Sequence, residues 1–214
     1  MEILDYILHI DKYLETILND YQNWFYLILF LLIFIETGLV VMPFLPGDSL
    51  LFAAGMLAAA FPDQLNIYIV LALLWVAAIA GDTVNYTIGK TLGTRLVTAK
   101  IFGRRIIKDS AIQKTEDFFT KYGSKTIVIA RFVPIVRTLA PFVAGISKMH
   151  YGTFIKYNFI GGIIWVIGIT LAGYFLGTIP VIKNNFEIVV MAIIVFSLIP
   201  IIVEFVKEKS KRKV

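Results

Sequence analysis

Residues 131–145 read Arg131-Phe-Val-Pro134-Ile-Val-Arg137-Thr-Leu-Ala-Pro141-Phe-Val-Ala-Gly145, two arginines and two prolines in otherwise apolar sequence. Each proline removes a backbone donor and disfavours the α region for the residue before it. A plain membrane helix is not written this way. Broken backbone at membrane depth persists only where it is buried in protein or lines a wet cavity. An arginine at the bilayer centre costs roughly 2.5–3.5 kcal/mol on insertion scales. Arg131 and Arg137 are therefore candidate functional groups, with planar donor forks suited to carboxylate or phosphate. A second stretch has the same character: Glu36-Thr-Gly-Leu-Val-Val-Met-Pro43-Phe-Leu-Pro46-Gly47-Asp48 puts two acids among prolines and glycines inside another apolar region. Pro43, Pro46, Gly47, Pro134 and Pro141 are read as the breaks.

The rest of the chain frames these two segments. Its 214 residues suit one domain, and 58% of them are hydrophobic, above the usual share of a soluble domain. Apolar runs reach the ~20 residues needed to cross a bilayer, so the chain reads as an all-α integral membrane protein. There is no cysteine, which excludes disulfides and thiolate chemistry. The two histidines, His9 and His150, stand apart, and no cluster has metal-ligand spacing, so neither metal nor cofactor is expected. The start, Met-Glu-Ile-Leu-Asp, is acidic where a signal peptide would be basic. The net charge of +5 sits in loops and tail, and speaks for topology rather than for nucleic acid.

Residues 1–22 place Ile3, Ile7, Ile10, Leu14, Ile17 and Tyr21 at helical spacing, an amphipathic helix lying at the interface or docked on the protein. Residues 24–61 form two apolar half-spans around the Glu36–Asp48 tip. The first, 24–35, would reach only about 18 Å of a ~30 Å core. That pattern describes a re-entrant hairpin, with two full helices and a tight turn as the alternative. Residues 67–89 form a membrane helix carrying Asp82 and Asn85 on one face. The loop 90–125 holds nine Lys/Arg against three acids, so the positive-inside rule assigns it to the cytoplasm. Within it, 109–121 suits an amphipathic helix. Segment 126–147 carries the Arg/Pro motif, 157–178 and 186–206 are membrane helices, and the tail 207–214 is basic. A complete crossing by 126–147 would leave that tail outside. A dip in from the cytoplasm and back puts it inside, so the charges favour a second re-entrant hairpin.

The halves then look like opposed repeats. Phe44-Leu-Pro46 through Leu51-Phe-Ala-Ala-Gly55 can be laid on Phe132-Val-Pro134 through Phe142-Val-Ala-Gly145 with a two-residue insertion. Gly89-x-x-x-Gly93 and Gly173-x-x-x-Gly177 close the helices that follow. Glu36, Asp48, Arg131 and Arg137 would together cost roughly 10–14 kcal/mol if buried unpaired, as much as the net stability of a domain. They must pair, share a pocket or touch water. A static ion-pair lock is one reading. The other is a site in which Arg131 and Arg137 hold a phosphate while Glu36 and Asp48 carry a proton or pair with the arginines. Asp82 and Asn85 are secondary polar candidates, and Trp24, Trp75 and Trp165 read as interface or packing residues.

Glu36-Thr-Gly, Phe44-Leu-Pro-Gly-Asp-Ser-Leu-Leu51, Gly81-Asp-Thr-Val-Asn-Tyr-Thr-Ile-Gly89 and Ala130-Arg-Phe-Val-Pro-Ile-Val-Arg-Thr-Leu-Ala-Pro-Phe-Val-Ala-Gly145 resemble the DedA family of membrane proteins, related to the eukaryotic VTT (SNARE-associated Golgi) domain proteins. The resemblance runs over essentially the whole chain. It implies a multi-pass protein of the bacterial inner membrane, with two opposed re-entrant hairpins, that takes part in lipid translocation. Some bacterial members look like undecaprenyl phosphate translocases driven by a proton or sodium gradient, and eukaryotic relatives like phospholipid scramblases. The family's required acids match Glu36 and Asp48, and its required arginines Arg131 and Arg137. The expected partners are membrane lipids with an anionic phosphate, and protons or sodium as coupling ion. A homo-oligomer is compatible with the pattern. The competing reading is a proton- or ion-coupled transporter of a small solute with the same site. A lipid phosphatase lacks the necessary histidine set, and a non-transporting scaffold would tolerate loss of all four charges.

Overall fold

In the computed structural model, residues 10–39, 47–98, 100–101, 104–105, 109–183 and 189 are described. Residues 1–9 with His9, the breaks Pro43 and Pro46, the expected helix 186–206 apart from residue 189, and the tail 207–214 lie outside them. The elements are helices α1 (Ile10–Gly38), α2 (Gly47–Ala60) and α3 (Ile67–Thr98), a two-residue antiparallel ladder of Lys100–Ile101 (β1) with Arg104–Arg105 (β2), then α4 (Asp109–Tyr122), α5 (Thr126–Ile129), α6 (Pro134–Ile146), α7 (Tyr151–Gly177) and α8 (Pro180–Lys183). Apart from that ladder, the described secondary structure is helical.

Several bounds differ from the sequence reading. α1 is interrupted at Tyr21, which has non-helical φ −130° and ψ 28°. The membrane helix read as 67–89 continues to Thr98, because Lys90 to Thr98 contain no proline and a single glycine, Gly93, does not stop it. The helix read as 157–178 starts at Tyr151, after Lys148 turns the chain with φ 52°. The break in segment 126–147 falls at Val133, whose extended φ −122° and ψ 104° are what a following proline imposes. Pro134 then opens α6 at a position where its missing N–H is not needed. Pro141 is not a break: α6 runs through it to Ile146. Helices in membrane proteins tolerate an internal proline when neighbouring groups satisfy the freed backbone.

α3 and α7 are each long and apolar enough to cross a bilayer, yet only 33% of the apolar window of each is buried in protein. A soluble core helix would be mostly covered. Instead Tyr68, Ile69, Val76, Ile164 and Phe175 are exposed, as lipid-facing side chains are.

The chain divides into two compact units. Unit one holds α1 as far as Leu29, α2, α3 as far as Ala72 and α7 from Ile169; unit two holds the remainder of α1 and α3, the segments from 100 to 146 and α7 as far as Gly168. Unit one packs Leu18, Ala58 and Leu65 against Phe25, Phe61 and Tyr174. In unit two, Val136, Ala140 and Ala144 of α6 recur at helical spacing and bury with Tyr86, Ile127 and Phe154.

Each unit contains a helix crossing built on two glycines, in the same register. In unit one, a Cβ on Gly55 would strike the Thr170 carbonyl and the Tyr174 amide, and one on Gly173 would meet Phe52 Cα at 3.0 Å and its carbonyl oxygen closer still. In unit two, a Cβ on Gly145 would strike the Tyr86 carbonyl and the Lys90 amide, and one on Gly89 would meet Phe142 Cα at 3.0 Å and its carbonyl oxygen closer still. Backbone rests on backbone at both places, the close approach that small residues allow between membrane helices. Gly168 faces open space. Gly89→Ala and Gly173→Ala should therefore each lower stability by roughly 1–3 kcal/mol through overpacking, while Gly168→Ala should be near neutral; thermal unfolding in one detergent would compare them.

Candidate functional site

The polar centre of unit two starts from close packing. α1 ends on α3, where Gly38 and Gly81 are the contact: a Cβ on Gly38 would be 3.5 Å from Gly81 Cα, and one on Gly81 would collide with Thr37. That contact sets Glu36 and Thr37 beside the turn of α3 carrying Asp82 and Asn85. The break at Val133 places Arg131 on a 3₁₀ turn before α6 and Arg137 on its first helical turns.

Each arginine has its own acid. Arg137 pairs with Glu36, and Arg131 Nη2 pairs with Asp82 Oδ2. The side chains of Arg131 and Glu36 are each only 3% exposed, and Arg137 is the most open of the four at 12%. Arg131 Nη2 also donates to Asn158 Oδ1 at 2.6 Å, while Asn158 Nδ2 donates to the Ile79 carbonyl at 3.2 Å. Gly161 leaves room for this arginine, since a Cβ there would be 3.1 Å from Arg131 Nε. Arg131 Nε has no acceptor among the described residues.

Trp165 lies against both cations. Its ring centroid is 5.5 Å from Arg131 Cζ and 4.8 Å from Arg137 Cζ. It is fully buried, in the π-helical turn Ile163–Ile167 within α7, a local widening often found at functional sites.

Asn85 is fully buried and donates Nδ2 to two backbone carbonyls, Thr37 at 3.0 Å and Thr138 at 2.9 Å. The Thr37 carbonyl is one of the last in α1, where a helix leaves its carbonyls without intrahelical partners. One amide thus caps the end of α1 and holds the middle of α6. Its Oδ1 has no hydrogen-bond partner among the described residues.

The geometry brings Glu36, Asp82, Asn85, Arg131 and Arg137 into one cluster. Asp48 belongs to unit one, exposed in the first turn of α2 next to Gly47, where a helix N-terminus favours an acid. Asp82 was read as secondary, yet it is the acid that Arg131 holds. Asn158 and Trp165 were missed as site residues. Asn158 was visible as a lone amide in an apolar helix, just before the Gly161-Gly162 pair. Trp165 gave no signal beyond its apolar setting; it is buried, as a packing residue is, and its ring also lies against both arginines. Among the described residues no group of three His, Cys, Asp or Glu could hold a metal.

A helical chain with lipid-facing spans and a charge-balanced arginine–carboxylate cluster inside defines a multi-helix membrane protein with a buried ionic site. The VTT domain family matches residues 45–175, which include every member of the cluster except Glu36, and the chain belongs to that DedA/VTT family. It is 50% identical over 210 residues to Protein DedA of Escherichia coli, covering 97% of this chain and 94% of that one. Inner membrane protein YqjA of Escherichia coli is 35% identical over 172 residues, covering 78% and 74%. An uncharacterized membrane protein of Mycobacterium tuberculosis, Rv0364, is 39% identical over 183 residues, covering 86% and 79%. No solved structure matches the chain.

Removing one partner of a buried pair strands the other, which costs about 3–5 kcal/mol, whereas replacing both with apolar groups is far milder. Asp82→Ala should fall in that range and Asp82→Leu/Arg131→Met should recover much of the loss, as read by unfolding in detergent.

Proposed function

We propose that this protein moves a phosphate-bearing lipid, such as undecaprenyl phosphate, between the leaflets of a bacterial inner membrane. The observation that carries the reading is the pairing of Arg137 with Glu36 in a cluster made otherwise of apolar helices. A guanidinium that already holds a carboxylate can exchange it for a phosphate of similar geometry. Arg137 is the more exposed arginine and takes the headgroup first; Arg131, fixed by Asp82 and Asn158, supplies the second positive charge. The lipid-facing surfaces of α3 and α7 leave the tail in the bilayer while the headgroup travels.

Charge balance supplies the coupling. Glu36, Asp82, Arg131 and Arg137 sum to zero, and an arriving anion would leave the cluster negative in a low-dielectric setting. A proton taken up by the displaced Glu36 restores neutrality. Sodium beside Glu36 would serve the same end. Asp48, in α2, is the second candidate for ion coupling.

The matched glycine crossings support a chain built of two related halves, each a hairpin followed by a membrane helix, inserted with opposite orientation. In that arrangement the hairpins are re-entrant, and the basic segment 90–125 and the C-terminal tail face the cytoplasm. YqjA is named as an inner membrane protein, which supports the same location here.

The test is translocation of fluorescent undecaprenyl phosphate in proteoliposomes, scored by access to an outside quencher with and without a proton or sodium gradient. Wild type should move the lipid, and Arg137→Ala should lose roughly 10–100-fold of the rate, the value of a hydrogen bond to a charged group. Equal rates for wild type, Arg137→Ala and empty liposomes would remove this substrate, and uptake of soluble phosphate would then be measured in the same vesicles.

A further inference from the structure

We propose that Trp165 is the positioning residue of the arginine site, holding the guanidiniums of Arg131 and Arg137 through its ring face, a contact that uses none of the N–H donors an anionic phosphate group would take. The inference rests on the reading above in taking the arginines as the groups that meet the ligand.

Few side chains hold a guanidinium without using its donors. A carboxylate or amide fixes an arginine by its N–H edge, the same edge a phosphate needs. An indole attracts the cation through its ring face and uses no donor. Trp165 lies within 5.5 Å of Arg131 Cζ and 4.8 Å of Arg137 Cζ, measured to the ring centroid. Both contacts are desolvated, where such attraction is largest, because Trp165 is fully buried.

Arg131 has Asp82 and Asn158 as edge partners. Arg137 pairs with Glu36, the acid that an incoming phosphate displaces. The indole contact takes no donor, so it persists while Glu36 is exchanged. Trp165 should thus act on headgroup affinity through Arg137.

α7 is shaped to allow this. The π turn Ile163–Ile167 holds one more residue than an α turn would, and Trp165 is at its centre. On one side, Gly161 leaves the space that the Arg131 stem fills; on the other, Gly168 meets nothing within 4 Å. A glycine and an irregular turn are weakening features in a membrane helix. Gly161 makes room for the arginine stem, and the turn carries the ring that faces it.

The experiment uses the full chain with Trp24→Phe and Trp75→Phe, so that Trp165 is the sole indole. Its emission is recorded in detergent with and without Arg137→Ala, then during titration with dihexanoyl phosphatidic acid or inorganic phosphate, with dihexanoylglycerol as the uncharged control. In parallel, the half-saturating lipid concentration for translocation is measured for Trp165→Phe and Trp165→Leu. Arg137→Ala should shift the emission before any ligand is added. A phosphate ligand should shift it only when Arg137 is present. Trp165→Leu should raise the half-saturating concentration by ~10-fold, with Trp165→Phe between it and wild type, in keeping with the loss of a desolvated cation–π contact.

Emission indifferent to Arg137→Ala would overturn the proposal, and so would wild-type half-saturation in a folded Trp165→Leu. Should the leucine variant fail to fold, Trp165→Phe and the emission shift decide in the same way. A response to inorganic phosphate as strong as to phosphatidic acid would keep the positioning role and make the ligand a soluble anion. A wild-type chain that moves no lipid while Trp165 still senses Arg137 would sink the translocase reading and leave the positioning role standing.

Discussion

The structure of unit two depends on one electrostatic constraint: a charge taken out of water must be met where it is buried. Arg131 and Arg137 come from a 3₁₀ turn and a helix start on either side of Val133. Asp82 and Glu36 come from two other helices. Each pair therefore ties segments distant in the chain. Such pairs are weak net stabilisers once desolvation is counted. They are strong on geometry, because a misplaced helix leaves an uncompensated charge. The cluster is better understood as fixing one arrangement than as a source of stability.

Close approach is the second requirement. Lipid tails are as apolar as leucine, so membrane helices gain little from burying apolar surface against each other. They gain from contact at short range. Gly81 lets α1 end against α3 just before Asp82. Gly89 and Gly145 bring α3 and α6 backbone to backbone, and Gly161 admits Arg131 beside α7. Gly162 lies against Trp75 and Ile79 of α3, one turn from the Asn158 amide that reaches both Arg131 and the Ile79 carbonyl.

How far the sequence could be read follows from which interactions are local. The break before Pro134 is a nearest-neighbour effect, and the structure has it at Val133. Pro141 obeys the same local rule, yet the helix continues, because surrounding structure can satisfy a backbone that sequence alone leaves short. Arg131, Arg137 and Glu36 stood out because charges are rare in apolar runs. Asp82 and Asn85 were visible for the same reason, but their importance lies in partners 49 and 53 residues away, Arg131 and the Thr138 carbonyl. Trp165 carries no charge to mark it, and its role exists only once two arginines are folded against it. The glycine pairs were legible as spacing, while their matched register appeared only in three dimensions.

Asn85 has a mechanical consequence. A single amide nitrogen bonds the last turn of α1 and the middle of α6 at once, at 3.0 and 2.9 Å. Two segments hung from one atom cannot drift independently: a displacement of either by more than a few tenths of an ångström stretches a bond or drags the other along. Glu36 is the neighbour of one anchor point, Thr37, and Arg137 of the other, Thr138. The rivet therefore lies one residue from the pair on both sides. The crosslink, which carries no charge of its own, thus fixes the backbone on both sides of the ion pair, so Glu36 and Arg137 are presented to each other from segments that must move together.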